Sequence, residues 1–451
     1  MPKSGVILPL AIPWTAYWIL AIEEDWTNKA LSLSREKGKK TSMDELRRLF
    51  PVKGPLSLQE LQAAVATLPL VKTLPIPEAI EAMSRLSSQL MNDTRTRPYP
   101  ELQALGFWLR AKHITQLVAD YLPTPIASLR VPRGVVFQIP PHNVDILFAY
   151  NALLSFLCGN ITLVRLWTDL TQAQSLFLEL LNETFSQELA ARLIFISAPR
   201  NDAVTNALSS LCDARMLWGG DETTEKLHTL PLPPTAIETR FVDRFSSALI
   251  KAAAYLNASR EEQDKVIHAF ARDIFSFSQM ACTSPRQLFW CGTKEDTERA
   301  RANFYPRLAA HAKSSFSPLD MGDATAKLNA DFLAQHDLDL AARQSFEDCL
   351  TVLTLVENAC LGAFKDVSFG HGLLFDSHIA STLDIACHSA RKDQTLTHWG
   401  FSPEEITALA RSLSSHGYVR YIPVGKSLTY DPIWDGQNLF DILTKLIRVH
   451  A

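Results

Sequence analysis

The segment Gly134-Val-Val-Phe-Gln-Ile139-Pro-Pro-His-Asn143 decides the fold class of this chain. Its apolar run over residues 134–139 predicts a buried strand, and an apolar stretch with helical spacing follows over residues 144–157. A Gly-Asn pair stops that helix, and a second strand is predicted over residues 161–166. Strand, helix and strand in this order form the unit from which parallel sheets are built.

The alternation of strands and helices continues beyond residue 166. The predicted elements are a helix over 172–188, a strand over 193–197, a helix over 202–211, a strand over 214–218 and a helix from Asp221. Four such units predict a mainly parallel sheet of the Rossmann type, the kind that binds a dinucleotide.

Three prolines in the stretch 230–238 stiffen the chain, prevent regular pairing and mark a domain junction near residue 240. Beyond it, a helix over 260–278 leads to a strand over 287–290, which begins a second α/β layer. The predicted organisation is a mostly helical region (1–115), a dinucleotide-binding domain (116–240), a catalytic domain (241–415), and a C-terminal strand and helix (416–451) that return to the cofactor and oligomerisation region. The fold class is therefore α/β, with a cofactor domain and a second α/β catalytic domain.

Composition excludes some classes of protein. The 451 residues carry 44 Lys plus Arg against 48 Asp plus Glu, and the charges are scattered, which argues against a nucleic-acid partner. Seven cysteines without a C-x-x-C pair favour a reduced, cytoplasmic setting.

Residues 5–22 are uncharged, but Pro9 and Pro13 interrupt them and no small-residue cleavage site follows. We expect a short strand and an amphipathic helix there, and no membrane span.

Cys282 is the candidate nucleophile. It lies in Ser278-Gln-Met-Ala-Cys282-Thr-Ser-Pro285, between a helix-like stretch and a strand-like run, where a thiol is commonly held at a cleft. A lone cysteine is more often a packed core residue, and Cys291, nine residues later, is the candidate for that role.

Several short motifs in order resemble the long-chain acyl-CoA reductases of the bacterial luminescence type, within the aldehyde dehydrogenase superfamily. They are Pro132-Arg-Gly-Val-Val-Phe-Gln-Ile139-Pro-Pro-His-Asn143-Val, Cys158-Gly-Asn160-Ile-Thr-Leu-Val-Arg165, Leu217-Trp-Gly-Gly-Asp-Glu-Thr223, Phe241-Val-Asp-Arg-Phe-Ser246 and Gln279-Met-Ala-Cys282-Thr-Ser-Pro285. Weaker matches follow at Gly370-His-Gly372, at Arg420-Tyr-Ile-Pro-Val-Gly425 and at Trp434-Asp-Gly436. The resemblance implies an aldehyde dehydrogenase-like fold and NADPH-dependent reduction of a fatty acyl thioester to the aldehyde.

The resemblance also implies catalytic roles. Cys282 would attack the thioester and hold the acyl group as a new thioester. The Asn143 amide and the backbone N–H of Cys282 would donate to the oxyanion that forms. Asn143 could instead be the N-cap of the helix that follows it.

For the cofactor, the chain lacks G-x-G-x-x-G, and the resemblance places the dinucleotide by the turn at Ile139 and Pro140. Arg165 would grip the 2′-phosphate, which favours NADPH, although a surface pair with Asp169 is an equal alternative. Gly219 and Gly220, with Thr223 or Thr224 at the next helix start, would approach the phosphates. The alternative is an ordinary turn, and Asp221 adds an anion there that weakens the assignment.

One departure concerns the general-base glutamate of hydrolytic aldehyde dehydrogenases. Aligning Ser246 with the family serine puts Phe241 at the position of that glutamate, so that a hydrolytic water has no activator. A register shift of three would bring Glu238 there instead. His142, His371 and His416 lack partners or metal-ligand spacing in the sequence, so we assign them no role and expect no metal site.

The motifs and the resemblance together predict an acyl-CoA reductase that forms an acyl-cysteine intermediate. An aldehyde dehydrogenase that oxidises an aldehyde, and an acyl-carrying scaffold subunit that does not reduce, are the alternatives. The resemblance further implies an acyl-protein synthetase as partner and a homo-oligomeric assembly.

Overall fold

The computed structural model describes residues 46–450, except residues 70, 72–73, 124–127, 142–145 and 200. The uncharged segment 5–22 and Asn143 therefore lie outside the described residues. Across the described ranges, no helix is both long and apolar enough to cross a membrane.

The described residues form two seven-stranded sheets and two small two-stranded ones. The strands are β1 (Leu46–Phe50), β2 (Gly54–Leu56), β3 (Ser128–Pro132), β4 (Val135–Ile139), β5 (Ile161–Leu166), β6 (Leu193–Ser197), β7 (Ala214–Trp218), β8 (Ile237–Phe241), β9 (Phe245–Lys251), β10 (Pro285–Cys291), β11 (Leu340–Phe346), β12 (Leu350–Leu355), β13 (Leu373–Ile379), β14 (Asp393–Trp399), β15 (Arg420–Pro423), β16 (Ile433–Trp434), β17 (Gln437–Asn438) and β18 (Thr444–Arg448).

Helices connect most of these strands. They are α1 (Leu58–Thr67), α2 (Pro77–Asn92), α3 (Pro100–Trp108), α4 (Ala111–Tyr121), α5 (Leu147–Leu157), α6 (Gln172–Thr184), α7 (Gln187–Ala190), α8 (Asp202–Ser209), α9 (Asp221–His228), α10 (Ala252–Asn257), α11 (Arg260–Phe275), α12 (Lys294–Ser315), α13 (Met321–Asp337), α14 (Ile385–His388), α15 (Pro403–Ser412) and α16 (Leu439–Leu443).

The first sheet has the order β2-β1-β6-β5-β4-β7-β8 and is parallel from β6 to β8. Strand β4, the middle one of the five parallel strands, is buried along its whole length, because helices cover both faces of a sheet built from crossover units. Helix α5 covers one face with Phe148, Ala152 and Phe156 in the largest core cluster. The strands predicted over 161–166, 193–197 and 214–218 are confirmed at those bounds.

The hairpin β1–β2 departs from the expectation of a mostly helical N-terminal region. Strand β1 pairs antiparallel with β6 and so extends the first sheet, with Arg47 opposite Ser197. Only the ends of β1, Leu46 and Phe50, are buried, and charged residues separate them. The residues of β1 do not alternate between apolar and polar, so it is the pairing with β6 that makes this segment a strand.

The second sheet has the order β11-β12-β13-β10-β9-β14-β15 and is parallel except at β11. The predicted strand over 287–290 is confirmed and extends over all of β10, which is buried throughout. After the proline-rich stretch, β8 still belongs to the first sheet, so the chain crosses to the second sheet through residues 242–244. The C-terminal helix α16 then packs into the core of the first sheet, and β18 pairs with β3.

Candidate active site

A cleft of about 970 Å³ lies where the two large sheets meet. On one side it is lined by the last residues of four strands of the first sheet, namely Ile139, Leu166, Trp218 and Phe241. On the other side it reaches Cys282, which precedes β10 of the second sheet. Parallel α/β sheets bind ligands at the carboxyl ends of their strands, and the first sheet follows this rule.

The cleft brings together the residues that the sequence predicts for the site, apart from Asn143, which lies outside the described residues. Those that line it are Ile139, Pro140, Arg165, Gly219, Gly220, Thr223 and Cys282. Residues from four separate segments of the sequence thus share one concave surface.

The Gly219-Gly220 turn leaves space at the start of α9. A Cβ atom added at Gly220 would meet no atom within 4 Å, and one at Gly219 would only touch Thr223 and Thr224 at 3.8 Å. Local packing therefore does not require glycine at either position. The absence of two side chains opens the cleft beside the first N–H groups of a helix, which is the kind of surface that accepts a phosphate.

The neighbours of this turn differ in what they offer a ligand. Thr223 is exposed in the cleft, whereas the buried Thr224 hydroxyl donates to the carbonyl oxygens of Gly220 and Asp221. The Asp221 carboxylate accepts the backbone N–H of Asp243 at 3.1 Å. Asp221 therefore ties α9 to the crossover between the sheets. The N–H that it accepts partly offsets the negative charge that weakens the predicted phosphate site.

Arg165 lies one residue before the end of β5, and its Nη1 donates to the Thr205 hydroxyl at 2.8 Å. That bond holds the guanidinium beside the start of α8, in the cleft wall. Asp169 lines the same cleft.

The Glu238 alternative for a general base does not fit the structure. Glu238 lies near the start of β8, whereas the cleft lies at the end of that strand. Its carboxylate pairs with the buried Arg215 at 2.5 Å and contacts His228 at 2.6 Å. At the cleft itself stands Phe241, which is buried and stacks on Trp218 with ring centroids 4.6 Å apart.

Polar groups from the amino ends of neighbouring strands hold Cys282. The Ser246 hydroxyl donates to the Cys282 carbonyl at 2.7 Å and accepts the Thr395 N–H at 3.3 Å. Burial raises the pKa of the Cys282 thiol to about 12, and the nearby Asp435 carboxylate contributes, while the Gln394 amide favours the thiolate. The resting sulfur is therefore a protonated thiol at neutral pH.

Charged residues surround the sulfur. Arg286 is 3% exposed, and its Nε and Nη1 make no hydrogen bond within the described residues. Burial lowers the pKa of this guanidinium, whose charge in turn favours the Cys282 thiolate. Asp243 lines the cleft, and its carboxylate pairs with Lys392 at 3.0 Å.

Sequence reasoning missed several of these neighbours. Asp243 and Trp434 line the cleft and lie inside motifs that carry the resemblance, so a closer examination of those motifs could have found them. Asp435 follows Trp434 and accepts a hydrogen bond from Gln394 Nε2 at 2.5 Å. No local signal marks Gln394, because only strand pairing brings β14 beside β9.

The remaining candidates fall outside this chemistry. Cys291 is buried in an apolar cluster between β10 and α15, as expected for a packing residue. His371 is nearly buried and lies 3.3 Å from Asp323, and His142 is outside the described residues. Within the described part of the chain, no cluster of His, Cys, Asp or Glu has the arrangement of a metal site.

Comparisons with known proteins agree with this architecture. Residues 122–314 match the model of a family described as acyl-CoA reductase (LuxC). No protein among those with curated functions matches the chain in sequence.

Solved structures share the fold over most of the chain. The NAD-dependent aldehyde dehydrogenase from Sinorhizobium meliloti is 13% identical with a TM-score of 0.66, covering 87% of this chain and 86% of its own. Aldehyde dehydrogenase 21 from Physcomitrella patens, solved with its product succinate, is 11% identical with a TM-score of 0.63, covering 91% and 95%. An aldehyde dehydrogenase from Bacillus cereus, solved with NAD+, is 13% identical with a TM-score of 0.61, covering 90% and 92%.

At these identities the likeness is one of fold. The chain has the aldehyde dehydrogenase fold, which confirms the predicted fold class. Together with the family match, it confirms the predicted resemblance to acyl-CoA reductases built on that fold.

Proposed function

We propose that this chain, which has an aldehyde dehydrogenase fold and whose residues 122–314 match the acyl-CoA reductase (LuxC) family, reduces a fatty acyl thioester to the fatty aldehyde with NADPH. The observation that carries the proposal is the position of Cys282, which lines the same cleft as the residues predicted to hold the dinucleotide. A thiol nucleophile and a dinucleotide surface in one cleft match the two requirements of this reaction.

Cys282 supplies covalent catalysis. Its sulfur attacks the carbonyl carbon of the thioester, the bond from that carbon to the carrier sulfur breaks, and the carrier leaves as a thiol that takes up the proton lost by Cys282. The acyl group is then held on Cys282 as a thioester. The Cys282 N–H and the Asn143 amide would donate to the oxyanion. Since the resting thiol has a raised pKa, the positive charge of Arg286 supports formation of the thiolate as the proton leaves.

The dinucleotide fits the first-sheet wall of the cleft. Gly219, Gly220 and Thr223 leave open space at the start of α9 for the pyrophosphate, and Ile139 and Pro140 form the neighbouring wall. Arg165 would take the 2′-phosphate of NADPH. When bound, the reduced nicotinamide would supply the hydride to the acyl carbon; the bond between that carbon and the Cys282 sulfur then breaks, the aldehyde leaves and the thiol takes up a proton.

The absence of a glutamate at the end of β8 favours transfer of the acyl group over its hydrolysis. The buried Phe241 ring stands at that position and offers no proton acceptor to a water molecule. An oxidising aldehyde dehydrogenase would need such a base, and Asp243, the nearby carboxylate of the cleft, is engaged by Lys392.

Two partners belong to this proposal. An acyl-protein synthetase would load or hand over the acyl group, and a second copy of the chain would form a homo-oligomer. The β3–β18 ribbon supports the second of these, since it exposes Leu129, Leu446 and Ile447 to solvent at roughly half of their surface.

The test is to incubate the purified protein with tetradecanoyl-CoA and NADPH, follow the loss of NADPH absorbance and trap the aldehyde. We expect Cys282→Ala to lower the rate by about 1,000-fold or more, as loss of a catalytic nucleophile does in comparable enzymes. Cys360→Ala, which changes an exposed cysteine, is the matched control and should retain the rate. Unchanged reduction in Cys282→Ala would refute the mechanism.

Two further outcomes identify the alternatives. If aldehyde and NADP+ yield free acid without CoA, the chain is an oxidising aldehyde dehydrogenase. If labelled acyl-CoA labels Cys282 but NADPH does not remove the label, the chain is an acyl-carrying subunit that does not reduce.

A further inference from the structure

The turn that precedes Cys282 has an unusual backbone. Phe277, Ser278 and Gln279 have φ values of 51°, 51° and 62°, in the left-handed region that residues with a Cβ rarely adopt. Three such residues in succession persist only where surrounding contacts hold them, and strain of this kind concentrates at functional sites.

The Gln279 side chain provides those contacts. It is fully buried, its Nε2 donates to the Pro285 carbonyl at 2.8 Å, and its Oε1 accepts the Gly372 N–H at 2.9 Å. The first bond closes a loop from residue 279 to residue 285 with Cys282 at its midpoint. The second fastens that loop to the start of β13.

The neighbouring residue is held as firmly. The Ser278 hydroxyl donates to Asp323 at 2.9 Å, and its carbonyl accepts the His371 N–H at 2.8 Å. A Cβ at Gly370 would come within 2.8 Å of that carbonyl, so the loop at 370–372 fits closely against the turn. The backbone before Cys282 is therefore set by contacts with the loop at residues 370–372 and with α13, and not by its own preference.

We propose that Gln279 is a positioning residue for Cys282, whose amide joins Pro285 to Gly372 and thereby fixes the place of the sulfur in the cleft wall. The proposal rests on the proposed function only in taking Cys282 as the nucleophile. Because these two hydrogen bonds hold the loop around the half-buried Cys282, loosening the turn should increase the contact of the sulfur with water. The thiol pKa, which desolvation raises, should then move toward its ordinary value.

The test compares Gln279→Gly with the wild-type protein. Glycine accepts the left-handed backbone but lacks the amide, so the fold is kept while the clamp is lost. We measure the rate of Cys282 alkylation by iodoacetamide against pH, by mass spectrometry of the Cys282 peptide, and separately the rate of acylation by tetradecanoyl-CoA.

We expect the midpoint of the alkylation profile to fall by about one pH unit or more, as the sulfur becomes hydrated. The acylation rate should fall by roughly 100-fold, since a displacement of about 1 Å costs that much in comparable sites. Gln279→Met keeps the size of the side chain but not its hydrogen bonds, and it should lower both the alkylation midpoint and the acylation rate. It replaces the glycine variant in the test if that variant does not fold.

Asp348→Gly is the matched control, because Asp348 also has a left-handed φ, 58°, but lies in the exposed turn between β11 and β12. It should leave both measurements unchanged. An alkylation profile unmoved in both Gln279 variants, or moved equally by Asp348→Gly, would overturn the proposal. Alkylation needs neither NADPH nor a thioester, so this result stands apart from failure of the reductase assay.

Discussion

The two edges of the cleft are built in opposite ways. In the first sheet, the cleft lies at the carboxyl ends of the strands, where Ile139, Trp218 and Phe241 are final residues. In the second sheet, the groups around the sulfur lie at the amino ends, since Ser246 and Gln394 are each the second residue of their strand.

This difference determines what each edge can offer. At the carboxyl edge, the helices that follow the strands present unpaired N–H groups, so that a ligand can be held by the main chain beside small residues such as Gly219 and Gly220. The amino edge around Cys282 is built from buried polar side chains, among them Ser246 and Gln394. Each of these needs a partner, because a buried polar group without one is costly. We therefore expect substitutions at the amino edge to affect stability, and those at the carboxyl edge to affect ligand affinity.

The largest effect is expected at the buried pair of Lys365 and Asp393, which begins β14. Lys365 Nζ contacts both carboxylate oxygens at 2.8 Å, and both side chains are at most 3% exposed. Lys365→Met leaves a buried carboxylate without its partner, which should lower the free energy of unfolding by about 3–5 kcal/mol. Urea unfolding measures this change.

The control is Lys251→Met, which breaks the exposed pair with Glu405 and should cost less than about 1 kcal/mol. The double variant Lys365→Met/Asp393→Leu should recover much of the lost stability, since it removes both charges. A single Lys365 variant as stable as the wild type would contradict the view that paired side chains sustain the amino edge.

A smaller effect on the free energy of unfolding should come from the ionisation of Asp273, in α11, as the pH changes. Its carboxylate accepts the N–H groups of Gly425 and Ser427 at 2.6 and 3.0 Å, and so holds the turn from which the chain runs to Trp434 in the cleft. Burial raises the pKa of Asp273 from 3.8 to about 6. Because the folded pKa is the higher one, the stabilisation it gives is complete below about pH 4 and is lost as pH rises through about 6.

Urea unfolding of the wild type and of Asp273→Asn, at several pH values, tests this. The stability difference between the two should change by about 2 kcal/mol between pH 4 and 7, in the direction that disfavours the wild type at the higher pH. A difference independent of pH would mean that the carboxyl titrates alike in the folded and unfolded chains.

The residues at the carboxyl edge of the cleft could be predicted from the sequence more completely than those at the amino edge. The strands of the first sheet could be located because continuous apolar runs between turn residues are typical of strands buried on both faces. Cys282 and the glycine turn could be identified because each belongs to a local motif. Gln394 could not, since its place beside the site depends on the pairing of β14 with β9. Strand β1 could not, because its partner β6 supplies the pattern that its own residues lack.

The smallest effect concerns Arg165, at the carboxyl edge. If its guanidinium binds the 2′-phosphate, Arg165→Gln should raise the KM for NADPH about tenfold, which corresponds to roughly 1.4 kcal/mol, and leave the KM for NADH nearly unchanged. Thr205→Val, which removes the acceptor of the Arg165 hydrogen bond, should give a change of the same sign but smaller. Steady-state kinetics with both cofactors measure the split, and urea unfolding should show little change in stability for Arg165→Gln. An equal rise in KM for NADPH and NADH would instead mean that Arg165 shapes the cleft wall without contacting the 2′-phosphate. The preference between the two cofactors would then depend on other residues of this edge.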